Sequence, residues 1–321
     1  MSRPDPSATR ERRFVVATLA FTLLSLAAVM LFNWQIDPQD LFGNNRLGVY
    51  VDSDRPSKAK LVKTWPHDAI LIGSSKTGFI DPTVLPGHRF FNGSLVAASP
   101  EEIYSFLKHH GQDASFVAIG FDLFMFNETR EHLLTIDRFA PGSESEIPWY
   151  DYVLSLDTTL DSAANIVRPL TGEPPVLLPS GQRNPWHIER ADKVFSGPAH
   201  ERAINELRLN HFGDFDYSEA RVEWMRRIKA LLDERGQDYL VFLNPLNRDV
   251  LAMLKTIPAG ESLDRLRRDV KEIFPGAVDL TQSRWSGDEY FYYADPFHYR
   301  PATGAEFLTE LLRERKGRPG S

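Results

Sequence analysis

Three short stretches of the chain carry residue types that can do chemistry together. The first is Gly73-Ser74-Ser75-Lys76-Thr77, which follows directly on the apolar run Ala69-Ile-Leu-Ile-Gly73. A serine where a strand turns into a helix lies at the carboxyl edge of a sheet, where α/β proteins bind their ligands. Its hydroxyl is accessible there, and the backbone N–H groups that follow point at a bound anion. An ordinary N-cap serine has the same sequence signature. The second stretch is Tyr293-Ala-Asp295-Pro-Phe-His298-Tyr-Arg300-Pro301. An imidazole serves as general base when a carboxylate fixes its tautomer, and a serine nucleophile needs such a base within hydrogen-bond reach. Asp295 and His298, three residues apart on a turn set by Pro296 and Pro301, can supply both groups. A plain surface turn with an incidental histidine is the alternative. The third stretch is the apolar segment Phe116-Val-Ala-Ile-Gly-Phe-Asp122. Its lone acid is either a polar group at a site's edge or a residue that ends a strand.

Other residues near these blocks have weaker signatures. Arg300 has the planar fork that holds a carboxylate, on a substrate or on the protein itself. Trp285, Tyr290, Tyr292 and Tyr293 cluster before His298, and aromatic faces stack on sugar rings as readily as they fill cores. His109, His110 and His211 lack the spacing of metal ligands. Two sequons, at Asn92 and Asn127, carry no weight.

The elements that must position these groups alternate between strand and helix patterns. Ala69–Gly73, 89–92, Phe116–Phe121, 239–243 and 277–280 read as strands. Ser99-Pro-Glu-Glu102 is a capping box with proline at the first helical position, and Ile103, Phe106 and Leu107 follow at core spacing. Val222, Met225, Ile228, Leu231 and Leu232 line one face of a helix that stops at Gly236. Leu263, Leu266, Val270, Ile273 and Phe274 line another, and residues 303–315 form the closing helix. Strands separated by helices predict a parallel sheet covered on both faces. Between residues 127 and 217 many prolines and glycines interrupt the pattern. This stretch reads as an insertion with long loops and a helix or two near 150–168.

Phe14–Phe32 is a run of 19 residues without a charge. About 20 apolar residues cross a hydrocarbon core of ~30 Å. Arg10, Arg12 and Arg13 precede the run, and Asn33, Trp34, Asp37 and Asp40 follow it, which places the amino terminus in the cytoplasm. A cleaved signal peptide has a shorter apolar stretch, roughly 7–15 residues, and a small-x-small exit. This run ends in Val-Met-Leu-Phe, so an uncleaved single-pass anchor is the favoured reading. The expected organisation is therefore a cytoplasmic segment (1–13), an anchor (14–32), a linker (33–65), an external domain (66–315) with an insertion around 127–217, and a tail (316–321).

The 321 residues are 42% hydrophobic and 25% charged, which is the composition of a folded globular protein. There is no cysteine, so disulfide scaffolds, zinc–cysteine and iron–sulfur sites and thiol nucleophiles are excluded. A net charge of −7 argues against nucleic acid as a partner.

Taken together, these blocks resemble the SGNH hydrolase superfamily. The subgroup most similar in plan is the membrane-anchored periplasmic proteins that partner membrane-bound O-acyltransferases in decorating cell-surface polysaccharides, such as the alginate O-acetylation and teichoic-acid D-alanylation proteins. The resemblance covers residues 66–125 and 285–312 and the anchor. It implies a flavodoxin-like three-layer α/β sandwich and a Ser75–His298–Asp295 triad with Ser75 as nucleophile. It implies an oxyanion site near Gly93 or Ala97 and, in the third block, at Asp122, where the family has an asparagine. A carboxylate there cannot donate a hydrogen bond. Arg300 and Tyr293 are the candidate substrate-binding residues. The implied activity is transfer or hydrolysis of O-acyl groups, O-acetyl foremost, at a bacterial inner membrane facing the periplasm, with no cofactor and no metal. The implied partners are a polysaccharide and a membrane-bound O-acyltransferase. A catalytically inactive adaptor with the same partners is the competing expectation.

Overall fold

The computed structural model describes residues 6–129, 137–143, 147–194 and 198–316. Its helices are α1 (Pro6–Ile36), α2 (Asp54–Thr64), α3 (Ser75–Gly78), α4 (Pro100–His110), α5 (Trp149–Leu154), α6 (Leu156–Leu170), α7 (Trp186–Val194), α8 (Ala199–Glu206), α9 (Glu219–Glu234), α10 (Arg248–Leu254), α11 (Ala259–Ile273) and α12 (Pro301–Lys316). Its strands are β1 (Ala69–Gly73), β2 (Phe90–Asn92), β3 (Phe116–Phe121), β4 (Asp238–Leu243) and β5 (Val278–Asp279). Of the expected tail, residues 317–321 lie outside the described residues, as do residues 1–5 of the expected cytoplasmic segment.

The chain divides into two compact units. The larger joins Ser53–Glu146 to Val176–Ser321, and the smaller joins Met1–Asp52 to Ile147–Pro175. In the larger unit all strand pairs are parallel, in the order β2-β1-β3-β4-β5. This is a doubly wound order, whose strand carboxyl ends form the binding edge. Side-chain alternation explains the two covered faces. Ile70 and Ile72 of β1, Val117, Ile119 and Phe121 of β3, and Val241 and Leu243 of β4 join one core. On that side they meet α4 (Ile103, Phe106, Leu107), α9 (Val222, Met225, Ile228, Leu232) and α11 (Leu263, Leu266, Val270). Ala69, Leu71, Ala118, Leu240 and Phe242 point the other way, against Phe307, Leu308, Leu311 and Leu312 of α12. Strands buried on both faces therefore read as unbroken apolar runs.

Residues 33–65 are not a linker. α1 runs on to Ile36, and α2 contributes Ala59, Leu61 and Val62 to the first core. The expectation failed because α2 is rich in charged residues, and several of these are buried and paired. The insertion also holds more helix than its prolines suggest. It carries α5 to α8, with Ser155 closing α5 and capping α6 through the Asp157 N–H at 3.1 Å.

In the smaller unit, the end of α1 is held by buried polar groups. The Asn33 side chain donates to the Val153 carbonyl at 3.0 Å and to Thr159 Oγ1 at 2.9 Å, and it accepts from Ser162 Oγ at 3.1 Å. The Asp37 carboxylate accepts from the N–H groups of Leu41 and Phe42, both at 2.8 Å, and from the Tyr152 hydroxyl at 3.1 Å. Asp37 and Asp40 take positive φ (48° and 57°), a conformation that aspartate tolerates better than most residues. The described part of α1 includes an apolar helix, Arg10–Ile36, long enough to cross a membrane. A membrane anchor and a signal sequence both fit that length.

Candidate functional site

The site forms at the carboxyl ends of β1 and β3. Gly73 pairs with Gly120 across these strands. A Cβ on Gly73 would stand 2.6 Å from the Gly120 carbonyl oxygen and from Thr77 Oγ1, so only glycine lets the chain turn this tightly into α3. Ser74 is the N-cap of α3, accepting from the Lys76 N–H at 3.1 Å. Ser75 is therefore the first residue of the helix, and its side chain is free of capping.

The last block closes on this turn. Ser75 Oγ lies 2.8 Å from His298 Nε2, and His298 Nδ1 lies 2.7 Å from Asp295 Oδ2. A carboxylate only accepts hydrogen bonds, so the imidazole proton sits on Nδ1 and Nε2 faces the serine as a base. Burial pushes the Asp295 carboxyl up. The His298 charge, the Nδ1 hydrogen bond and the N–H groups of Phe297 and His298 outweigh burial and hold it below its ordinary 3.8. Phe79 and Phe297 meet the imidazole edge-on, with centroids 5.5 and 5.1 Å away.

The imidazole turn is itself held from outside. Phe291 bridges Tyr299 in antiparallel fashion, and the Arg300 N–H donates to the Tyr290 carbonyl at 2.8 Å. Asp192 of α7 then brackets the turn. Its two carboxylate oxygens accept from the Ala294 N–H at 3.0 Å and from the Arg300 guanidinium at 3.2 Å. Nothing in the sequence singles out Asp192.

The expected oxyanion residues separate on folding. Ala97 lines the pocket at Ser75, with φ +53°, the left-handed conformation that glycine favours. Among the described residues, the N–H groups of Ala97 and Ser75 make no hydrogen bond. Gly93 does not fill this role, because its N–H is taken by the Leu71 carbonyl at 2.8 Å. Asp122 does not line the pocket either. Its carboxylate lies under the serine turn, accepting from Ser74 Oγ at 2.6 Å and from the Asn244 amide at 3.0 Å, with the Lys76 ammonium 3.1 Å away. Asn244 in turn accepts from the Tyr299 hydroxyl at 3.0 Å. One buried network thus joins the neighbours of Ser75 to the neighbour of His298.

The two substrate-binding candidates also sit elsewhere. Arg300 is spent on Asp192 and lies over the Tyr292 ring, 4.9 Å from its centroid. Tyr293 stacks on His200, and its carbonyl meets His200 Nδ1 at 3.0 Å. Neither lines the pocket, whereas Tyr292 does.

The pocket beside Ser75 has a volume of about 530 Å³. One wall is Ala97, Phe124, Phe297 and His298, and the other comes from Ile188 and Ala191 of α7, Ala203 of α8, and Leu207 and His211 of a π-helical turn (Leu207–His211). Such turns are often found at functional sites. His211 stacks on Phe297 at 5.8 Å between centroids.

α2 braces the loop that carries Ala97. Asp54 accepts from the Val96 N–H at 2.7 Å, Arg55 donates to the Val96 carbonyl at 3.2 Å, and the buried Lys58 ammonium donates to the Ser94 carbonyl. The charges that made this segment look like a linker are the groups that hold the loop. Among the described residues, no group of three or more histidine or acidic side chains is arranged to hold a metal ion. Comparison with protein-family models and with curated proteins finds no match to this chain.

Proposed function

We propose that this protein is a serine O-acyltransferase or esterase of the SGNH type, anchored in a bacterial inner membrane and acting on O-acyl groups of a cell-surface polysaccharide. The observation that carries the reading is the Ser75–His298–Asp295 relay, with distances of 2.8 and 2.7 Å, opening on the pocket of about 530 Å³. A serine is a weak nucleophile until a base takes its proton, and an oriented imidazole is that base. Ser75 Oγ attacks the ester carbonyl and His298 Nε2 takes the hydroxyl proton. Asp295 stabilises the imidazolium. The N–H groups of Ser75 and Ala97 face the oxyanion. As the intermediate collapses, the departing alkoxide takes the proton from His298 and leaves an acyl group on Ser75. A sugar hydroxyl or water then attacks, with His298 again as base. The resemblance to polysaccharide-decorating proteins favours the sugar and a membrane-bound O-acyltransferase as partner.

The test is hydrolysis of p-nitrophenyl acetate by the detergent-solubilised full chain, with mass spectrometry of acid-quenched protein. Ser75→Ala lowers the rate by roughly 10³-fold or more and abolishes the acetylated species. Equal rates for wild type and Ser75→Ala, with no acylated protein in either, would falsify the catalytic reading. That outcome would favour the second reading, an adaptor without catalysis. Asp122 is the observation behind it, standing where the family has a side-chain donor and itself committed to Ser74, Lys76 and Asn244.

A further inference from the structure

The smaller unit wears its apolar residues outside. Among the described residues, every large hydrophobic side chain with marked exposure lies in that unit except Val84, Leu209 and Tyr293. α1 accounts for many of them. The remainder lie on α5 and α6 and in the loop after α1: Trp149, Tyr150, Leu154, Leu156, Leu160 and Val167 are all 43% exposed or more.

α6 is turned opposite to a water-facing helix. At 100° per residue its side chains fall into three sectors. Thr158, Ser162 and Asn165 form the buried sector, at 5%, 0% and 0% exposure, and the groups they meet are polar. Ser162 donates to Asn33 Oδ1 at 3.1 Å, and Asn165 donates to the Gly48 carbonyl at 3.0 Å and accepts from the Tyr50 N–H at 3.3 Å. Asp157, Asp161 and Arg168 form a narrow charged sector beside it. The outward sector is Leu156, Leu160, Ala163, Val167 and Leu170, at spacings of four and three, with Leu156 and Leu170 71% and 82% exposed. In water the apolar stripe would face the protein and the small polar residues would face out. Leaving such a stripe in water is unfavourable in proportion to its area.

The chain itself indicates what covers the stripe. The apolar surface continues from the end of the candidate span. Ala27, Met30, Leu31 and Trp34 of α1 share an open apolar groove of about 430 Å³ with Phe42, Trp149 and Val153. Asn33 meets α6 through Ser155, Thr159 and Ser162, so the polar face of α6 packs on the exit end of α1. Trp34, Trp149 and Tyr150 stand at that level, and tryptophan and tyrosine concentrate where hydrocarbon meets headgroups. A helix packed on the end of a span, with a continuous apolar sector and a polar back, has the form of an interfacial helix.

We infer that α5 and α6 lie in the surface of the bilayer that α1 enters, with Leu156, Leu160, Val167 and Leu170 in the acyl-chain layer and Asp157, Asp161 and Arg168 at the water boundary. The occupant of the stripe is lipid, not a second protein. Because the charged sector has two acids and one base, burial of apolar area drives the contact and anionic lipid is not required. The inference rests on α1 being a retained anchor.

The chain has no cysteine, so single cysteines can be spin-labelled in the full-length protein without background. The probes are Leu160→Cys, Val167→Cys and Asp157→Cys, all at exposed positions, with Leu23→Cys in α1 as control. The protein is reconstituted in phosphatidylcholine vesicles, and collision rates are measured with oxygen, which concentrates in hydrocarbon, and with a water-soluble nickel chelate. The expected result is an oxygen-to-nickel ratio at Leu160 and Val167 several-fold above that at Asp157, and unchanged when phosphatidylglycerol is added. If Leu23 reports lipid while Leu160 and Asp157 respond equally to nickel, the interfacial placement is overturned and the anchor stands. Shielding of Leu160 from both colliders, relieved on dilution of protein in the vesicles, overturns lipid in favour of a second copy. If shielding persists on dilution, another part of the same chain is the cover. A Leu23 label open to nickel removes the anchor and the inference together.

Discussion

The Lys76 ammonium lies 3.1 Å from the Asp122 carboxylate, with each side chain 2% exposed or less, directly beneath the turn that carries Ser75. Ser74 donates to the same carboxylate, so both chain neighbours of the candidate nucleophile are tied to one acid. Removing one member of a buried ion pair strands the other charge, at a cost of about 3–5 kcal/mol. Asp122→Ala is therefore expected to lower the melting temperature sharply, and the double change Lys76→Met with Asp122→Asn to recover most of the loss. Calorimetry on the three proteins checks this. Asp122→Asn separates the network from an oxyanion role. A carboxylate facing the oxyanion would repel it, and its replacement by a donor would raise the ester rate by about 10²–10³-fold. The geometry here predicts no rise.

Asp295 fixes which imidazole nitrogen carries the proton. Asp295→Asn can satisfy Nδ1 in the wrong tautomer, and that change costs about 10⁴-fold in turnover where a triad operates. The expected outcome is a fall of that order in the p-nitrophenyl acetate rate with the fold intact by circular dichroism. His298→Ala should fall at least as far. Variants that retain activity would show that the relay is not used.

Ala97 holds φ +53°, a conformation that costs a residue with a Cβ roughly 1–2 kcal/mol. Ala97→Gly removes the crowding and keeps the N–H, at the expense of a more mobile unfolded chain. The net expectation is a protein equally stable or about 1 kcal/mol more stable, with an unchanged ester rate. Ala97→Val should be less stable and slower, since a β-branched side chain resists positive φ. Urea midpoints and initial rates on the same preparations decide this.

Asp137 supplies a pH-dependent part of stability. Burial raises its carboxyl, but hydrogen bonds from His109, Lys108 and Ser105 prevail and hold it at about 2, against an ordinary 3.8. The folded state therefore binds this proton more weakly than the unfolded chain does. The stabilisation is complete above 3.8 and fades as pH falls toward about 2. It is modest, because the side chain is 32% exposed and solvent screens the pair. Asp137→Asn is expected to have a lower urea midpoint than wild type at neutral pH, with the gap closing in acid. A gap that stays constant would mean that the side chain acts through packing alone.

The strands, the helices α4, α9, α11 and α12, and the apolar α1 were legible because apolar periodicity is local. Strands buried on both faces and helices with one apolar stripe announce themselves within a few residues. α2 and α6 were harder, because their buried faces carry polar and charged side chains. Lys58 is buried and bonds a carbonyl, and Ser162 and Asn165 are buried against Asn33, Gly48 and Tyr50. A hydrophobicity pattern does not reveal a helix face that is satisfied by hydrogen bonds.

The residue types alone established which groups were available to meet: a serine after an apolar strand, an aspartate and a histidine on one turn, and no thiol anywhere. Whether they meet was decided by the parallel sheet, which brings residues 223 positions apart to 2.8 Å. Only the fold showed that Gly93 spends its N–H on Leu71, that Arg300 belongs to Asp192, and that Asp122 supports the serine turn from below. The physical reason is that propensity and periodicity act over one or two turns of chain. Hydrogen-bond partnership depends on directions and distances that exist only once distant segments are packed.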